Sequence, residues 1–375
     1  MMARAHWHFP RTALAEHYLN VFDVGISSHL AFIAPRRKGK TAFILQDLAP
    51  AAQQQGYLCV YASLWGDPNA PHESIVQALE QAIDACASES KIKRMLSSKV
   101  RKAAISNEML GRVEVEFANN PKSAGTRDLT RIDDLVTQLE KAAKDRTILL
   151  LIDEIQHLAT SDDFSGLAHS LRTLLDRRQG RVKSIYTGSS RHYMHLLMST
   201  QSSPFYHFAN LHRFPDLGED FCAFLQNKMA SEYGVAVAMG SLVKAFGDLD
   251  HSPYWMQRLV ERLVTEKCPL REAMNYTLEL LDAAEGFEET AKTMKPVDRL
   301  VFLELADNGN PFSRALLSRI EAQTSNKGIP GTVQRALARL MEASLVSQIK
   351  KGEYHIEKPG LRRYLEKQVG SAPSR

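Results

Sequence analysis

The chain has 375 residues, 44% apolar and 24% charged, and its 47 Lys and Arg against 43 acidic residues leave a net charge of +4. That length holds two or three domains with ample core, and so mild a charge permits a local nucleic-acid patch without arguing for one. Four widely spaced cysteines (Cys59, Cys86, Cys222, Cys268) without a CxxC exclude a disulfide scaffold or zinc ribbon. With no apolar run of transmembrane length and no signal-peptide core in Met1–Arg11, a cytoplasmic chain with no membrane partner is expected.

Residues 1–28, with His6, Trp7, His8, Phe9 and the periodic piece Thr12 to Phe22, read as an N-terminal extension packed beside the first strand. That strand is expected over Leu30–Ala34. The basic loop Ala34-Pro35-Arg36-Arg37-Lys38-Gly39-Lys40-Thr41 follows, and then a helix to about Ala52. Strand, tight loop and helix form the context of a phosphate-binding P-loop, G-x-x-x-x-G-K-[ST], here with Ala34 in place of the first glycine. Backbone N–H groups of such a loop converge on anionic oxygens. Lys40 adds charge for the β- and γ-phosphates, and the Thr41 hydroxyl can ligate Mg²⁺. The N-terminal extension would then lie near the nucleotide base.

A buried strand at Tyr57–Ala62 and a helix over Glu73–Ala87 come next. Lys91 to Lys102 carries six cations and no acid, which reads as a solvated helix end or as a contact surface for nucleic acid or an acidic partner. Leu110–Phe117 alternates like a strand, suggesting an inserted hairpin, and Leu129–Lys144 has helical spacing. The run Thr147–Ile152 ending in Asp153 and Glu154 has the form of a central parallel strand buried on both faces. Ligands in such sheets sit beyond the carboxyl ends of the strands. Asp153 is placed to serve the Mg²⁺ shell and Glu154 to orient and polarise an attacking water. After a helix over Leu167–Arg178, the strand from Val182 ends in Thr187-Gly188-Ser189-Ser190-Arg191, any of whose polar residues could sense the γ-phosphate.

Phe205–Phe214 contains Arg213 just before a short apolar turn. Asp220 to Glu285 is all helical in pattern, with a stop at His251-Ser252-Pro253. Beyond a composition shift at Gly286–Pro296, helices are expected over Val297–Ala306, Phe312–Ile320 and Thr332–Ala343. The strands Leu345–Ile349 and Tyr354–Ile356 then flank the turn Lys350–Glu353. Three helices and a hairpin make a winged helix-turn-helix. Its third helix would offer Thr332, Gln334, Arg335 and Arg339 to a major groove and its wing Lys350 and Lys351 to phosphates, although many winged helices contact protein instead.

Together, Ala34–Thr41, Leu149–Glu154, Thr187–Arg191, His251-Ser252-Pro253-Tyr254 and the terminal winged helix resemble the STAND-type and AAA+-type P-loop ATPases, especially the archaeal-type ATPases close to the origin-recognition group. The resemblance implies an α/β fold: a P-loop parallel sheet, a helical lid and a C-terminal winged helix. The expected divisions are an extension 1–28, an ATPase domain 29–216, a lid 217–290, a winged helix 291–368 and a tail 369–375. It implies that ATP and Mg²⁺ are held by the loop, with Thr41 and Asp153 on the metal, Glu154 on the catalytic water and Ser189 and Pro253 near the nucleotide. Arg191 matches the sensor-strand arginine of STAND proteins, and no arginine stands at the start of the lid helix, Arg258 being a turn later. Arg213 lies roughly where relatives supply an arginine finger. Expected function is an ATP-driven switch that hydrolyses slowly, binds DNA or a protein partner and assembles into an ATP-dependent homo-oligomer. A nucleotide-stabilised DNA-binding regulator with negligible turnover, or a protein-directed ATPase, are the alternatives.

Overall fold

The computed structural model describes residues 6–97, 125–350 and 352–370. The hairpin expected over Leu110–Phe117, the basic residues Lys99, Arg101 and Lys102, and the wing residue Lys351 lie outside the described residues. The chain forms two compact units. One takes the residues up to Ala34 together with Lys40–Phe214; the other takes Pro35–Gly39 together with the chain from Pro215 onward.

In the first unit the order is α1 (Thr12–Asp23), β1 (His29–Ile33), α2 (Lys40–Phe43), a π-helical stretch (Ile44–Leu48), α3 (Ala49–Gln54), β2 (Leu58–Ser63), α4 (Pro71–Ser97), α5 (Thr126–Ala143) and β3 (Ile148–Asp153). Two 3₁₀ turns, Ile155–Ala159 and Asp162–Phe164, precede α6 (Ser165–Asp176), β4 (Val182–Gly188), α7 (Arg191–Ser199) and β5 (Asn210–Arg213). The five strands pair in parallel in the order β2-β3-β4-β1-β5. Every residue of β3 is buried, as its unbroken apolar run requires for a strand covered on both faces. Alternate residues feed two cores. Leu149 and Leu151 pack with Phe32, Phe43 and Phe214; Ile148, Leu150 and Ile152 pack with α4 to α7.

Two features go further than expectation. First, α1 packs beside the first strand, as expected, and also completes the core. Its Ala15, Tyr18, Leu19 and Phe22 are part of the sheet's own core, with the Tyr18 and Phe32 ring centroids 4.4 Å apart. Second, Asn210–Arg213, which leads into the expected turn, is a fifth strand, pairing Leu30 with Asn210 through Ile33 with Arg213. Its exposed polar residues give it no alternation, as an edge strand permits.

The second unit contains α8 (Glu219–Tyr233), α9 (Met239–Asp248), α10 (Pro253–Thr265), α11 (Leu270–Ala284) and α12 (Phe287–Thr293). It continues with α13 (Pro296–Ala306), α14 (Arg314–Gln323), α15 (Pro330–Glu342), the antiparallel pair β6 (Val346–Lys350) and β7 (Glu353–Ile356), and α16 (Gly360–Gly370). Helices α13 to α15 with the β6–β7 hairpin are a winged helix-turn-helix, and α15 has the clean apolar face that seats it: Val333, Ala336, Leu337 and Leu340 are buried. Ser252 caps α10 by accepting from the Trp255 N–H, and Pro253 occupies the first turn.

His29 opens β1 buried, its Nδ1 2.7 Å from Ser184 Oγ and its ring stacked on Phe208 at 4.1 Å. Burial pulls its pKa down to about 4, with Asp176 opposing and Arg172 reinforcing the shift. The folded state therefore favours the neutral ring, so this contribution is complete above pH 6.5 and is lost as pH falls from 6.5 towards 4. Urea titrations of the wild type and His29→Gln at pH 7 and pH 4.5 should show a pH-dependent loss, on the order of 3 kcal/mol, that the variant lacks. Equal pH dependence in the two proteins would contradict it.

Candidate functional site

The C-terminal ends of β1, β3 and β4 meet because β4 lies between the other two. Ile33 pairs with Gly188, and the Ala34 N–H continues the ladder to the Gly188 carbonyl at 3.3 Å. Asp153 ends β3 with 4% exposure, a costly place for a carboxylate unless its oxygens are satisfied. They are. Thr41 Oγ1 donates to Oδ2 at 2.6 Å, the Tyr61 hydroxyl donates to Oδ2 at 3.1 Å, and Thr187 Oγ1 donates to Oδ1. Burial, and then the charge of Asp153, raises the Tyr61 pKa and keeps that donor protonated.

Lys40 is buried at the start of α2, its Nζ donating to the Ala34 carbonyl at 2.7 Å. Ala34, at 4% exposure, fits the wall of the first core, so the methyl group in place of the usual hydrogen is accommodated. Asp47, in the π-helical stretch that continues the helix, lies within 3.0 Å of His8 Nε2 through each carboxylate oxygen. This contact holds the N-terminal segment to the helix that follows the loop.

Glu154 adopts a left-handed conformation, φ 59° and ψ 40°, which costs a non-glycine residue about 1–2 kcal/mol. Such strain persists where neighbours over-determine it. Here Ser189 Oγ donates to Glu154 Oε2 at 2.6 Å and Gln156 Nε2 donates to the same oxygen. Gln156 Nε2 also reaches Ser189 Oγ at 3.3 Å, while its buried Oε1 has no hydrogen-bond partner among the described residues. Arg191, half-buried at the first position of α7, makes no hydrogen bond or ion pair among the described residues.

Sequence reading named Lys40, Thr41, Asp153, Glu154 and Ser189, and the structure joins Thr41 to Asp153 and Ser189 to Glu154, with Lys40 on the Ala34 carbonyl. It did not find Tyr61 or Gln156. Tyr61 sat inside an apolar run where a phenol passes for a core residue. Gln156 carried no motif, and only its position two residues beyond the acid pair could have marked it.

The loop's middle, Pro35–Gly39, groups with the second unit, and two of its cations are committed there. Arg37 donates to Glu285 Oε1 at 2.8 Å and its guanidinium carbon lies 4.7 Å from the Trp255 ring centroid. Lys38 donates to the Asp250 carbonyl at 2.6 Å and pairs with Asp216 Oδ1 at 2.8 Å. These side chains are therefore not displayed as open phosphate ligands, as the motif alone suggests. Arg36 is exposed. Pro253 lies close to the loop's glycine: a Cβ at Gly39 would stand 3.6 Å from its Cγ.

In the winged helix Gln334 and Arg335 are exposed on α15 and Lys350 is exposed at the end of β6. Thr332 and Arg339 do not fit the expected groove-reading role. Thr332 is 5% exposed, and Arg339 holds the buried Asp298 on α13 through Nε at 2.9 Å and through a second nitrogen. Arg339 is thus a packing residue.

No protein-family model and no curated protein matches the chain. Among solved structures, the Walker-type ATPase of Pyrococcus abyssi superposes with TM-score 0.61 at 18% identity, covering 96% of each chain. The ORC2 protein of Aeropyrum pernix superposes with TM-score 0.54 at 15% identity over 96% of this chain and 91% of that one. The chain shares the fold of these two proteins along nearly its whole length. At such identities the likeness is one of architecture.

Gly188 is required by the site's closeness: an added Cβ would fall against Met194 Sδ and 2.8 Å from Gln156 Oε1. Gly188→Ala should lower stability by about 1–3 kcal/mol in chemical denaturation. Gly180→Ala, where a Cβ meets nothing within 4 Å, should stay within about 0.5 kcal/mol of wild type. An unperturbed Gly188→Ala would mean that Met194 and Gln156 move aside freely.

Proposed function

We propose that the chain binds Mg-ATP at the Ala34–Thr41 loop, hydrolyses it slowly and uses the nucleotide state to control what its winged helix binds. The observation that carries this reading is the hydroxyl-ringed Asp153 carboxylate beside a Glu154 held in place by Ser189 and Gln156. A site that only stores nucleotide has no need of a second, separately positioned acid. The Aeropyrum pernix ORC2 protein, similar in fold, was solved in an ADP form.

Each residue then has a task. Lys40 exchanges the Ala34 carbonyl for the β- and γ-phosphates. Thr41 and Asp153 present oxygens within 2.6 Å of one another, a hard donor set that suits Mg²⁺, and the ion would neutralise charge on the bridging phosphate oxygens. Glu154 accepts a proton from, or orients, the attacking water, while Ser189 keeps the carboxylate in line and ties its position to the end of β4. Arg191, with no partner within the described chain, is the cation that can follow the γ-phosphate. Gln334 and Arg335 would read DNA base edges and Lys350 a phosphate. Arg213 is exposed at the end of the edge strand, the position from which a homo-oligomer would offer it to a neighbour. Among the described residues no helix is long and apolar enough to cross a membrane.

Fluorescent-nucleotide binding and phosphate release test the first half. Lys40→Ala should weaken nucleotide binding at least about tenfold. Glu154→Gln should retain binding and lose turnover about 10²–10⁴-fold. Binding and turnover indifferent to both would sink the reading.

Duplex-DNA binding at fixed salt tests the second half. Arg335→Ala should cost about 1–3 kcal/mol of affinity with the fold intact. Arg339→Ala should instead lower stability by about 1–3 kcal/mol, because it strands the buried Asp298. No DNA affinity in wild type would leave a protein as the partner of the winged helix.

A further inference from the structure

Lys38 has three N–H donors, and three acceptors surround its Nζ: the Asp250 carbonyl at 2.6 Å, the Asp216 carboxylate at 2.8 Å and the His251 carbonyl at 3.3 Å. The ammonium is saturated. A phosphate can gain it only by displacing acceptors already in place. Arg37 is engaged alongside, by Glu285 and by the Tyr254 and Trp255 rings, and its own carbonyl accepts from the buried Ser252 hydroxyl at 3.0 Å.

The segment that receives Lys38 is strained. Asp250 and His251 are successive left-handed residues, φ 56° and 49°, and Arg37 opposite them is left-handed as well, φ 64°. Asp and His tolerate this region better than most residues, but two in a row still need holding. Their N–H groups bond to the Gly247 and Phe246 carbonyls at 3.0 and 2.9 Å, and the Lys38 ammonium ties down both of their carbonyls.

Each partner of the loop continues into α16. The Asp250 carboxylate accepts from the Gly360 N–H, the first residue of α16, and faces Arg363, which itself binds Asp282 at 2.6 Å. The approach is so close that a Cβ at Gly360 would come within 2.6 Å of Asp250 Oδ2 and 3.1 Å of Phe287. Burial pushes the Asp250 carboxyl up to about 6, with Arg363 and Lys38 the opposing charges, which marks how far it has been taken from water. On the other side, the residue that binds Arg37 accepts at its carbonyl from Lys358 Nζ at 2.9 Å, two residues before α16. Two short chains of contacts thus run from the loop to one helix end: Lys38–Asp250–Gly360 and Arg37–Glu285–Lys358.

We propose that Arg37 and Lys38 form a clasp that holds the 250–252 turn and the start of α16, and that phosphate bound at the loop draws these two cations away, releasing the turn and α16. The inference rests on the reading of the loop as a phosphate site and gives that reading a regulatory output. Phosphate oxygens offer both cations charge-assisted bonds, about twice as strong as those to neutral carbonyls. The turn, once its ammonium leaves, keeps its N–H bonds but loses the ties on both carbonyls. Binding and release are then coupled through a two-state element that each biases.

The test compares full-length wild type with Asp216→Asn/Glu285→Gln, which removes the clasp's carboxylates but no phosphate ligand. Amide hydrogen exchange over residues 358–364 is followed with and without saturating Mg-ATP, alongside nucleotide affinity. In wild type, ATP should speed exchange in 358–364. In the variant, which loses both carboxylates and keeps Lys38 only on the two carbonyls, exchange should be faster beforehand, ATP should add less than in wild type, and nucleotide affinity should rise about tenfold. Tighter binding with unchanged exchange in 358–364 would be plain electrostatics and would overturn the clasp while leaving ATP binding intact. If neither protein binds ATP, the functional reading fails. The clasp is then judged on unliganded exchange alone: faster in the variant supports it, unchanged refutes it.

Discussion

The first unit depends on one buried carboxylate. Asp153 ends a strand whose every side chain is buried, so its charge can exist there only because hydroxyls from three other elements converge on it. Thr41 comes from the helix after the loop, Tyr61 from β2 and Thr187 from β4. The requirement is reciprocal. The charge needs those donors, and the donors are delivered only if β2, β3 and β4 lie side by side in this register. A one-residue slip of β4 would turn Thr187 to the opposite face and leave Asp153 short of a donor. Fold and site are therefore specified by the same contact, and the oxygen-rich end it creates is what a divalent cation and a phosphate chain require.

Much of this arrangement was legible because burial on both faces writes itself into composition. Leu149 to Ile152 and Leu30 to Ile33 are apolar at every position, so central strands announce themselves, and the acids or basic loop that interrupt them mark the site end. The winged helix was legible for a related reason: α15 carries its apolar residues at helical spacing and β6–β7 surrounds a polar turn. β5 was not legible, because an edge strand of Asn, Leu, His and Arg has neither alternation nor a hydrophobic run. α1 was read as packing beside the first strand, but twelve amphipathic residues look the same whether they cap a core or complete it. Only Tyr18 against Phe32 shows that they complete it.

Side-chain roles were harder than element positions, for a physical reason. Arg335 and Arg339 lie one turn apart on the same helix, yet one is exposed and the other holds a buried aspartate from α13. That difference is made by a residue 41 positions away, which local pattern cannot see. The same holds for Arg37 and Lys38. Within a basic loop they look like phosphate ligands, but their acceptors lie at 216, 250, 251 and 285. Cations near a phosphate loop satisfy whichever acceptors are closest, and a motif does not say which those are.

The left-handed residues show where the chain stores conformational choice. Strands and long helices are fixed by paired backbones and packed faces, and they have one arrangement. Glu154, Arg37, Asp250 and His251 instead sit in a region that L-residues avoid, each kept there by hydrogen bonds from polar side chains. Polar contacts of that kind can be exchanged for phosphate oxygens or water at little net cost, whereas a buried Leu149 cannot be exchanged for anything. The clasp proposed above draws on residues of this second kind. Asp153 and Thr41, joined at 2.6 Å beside fully paired strands, belong to the fixed side of that contrast, and the strained connections to the exchangeable side.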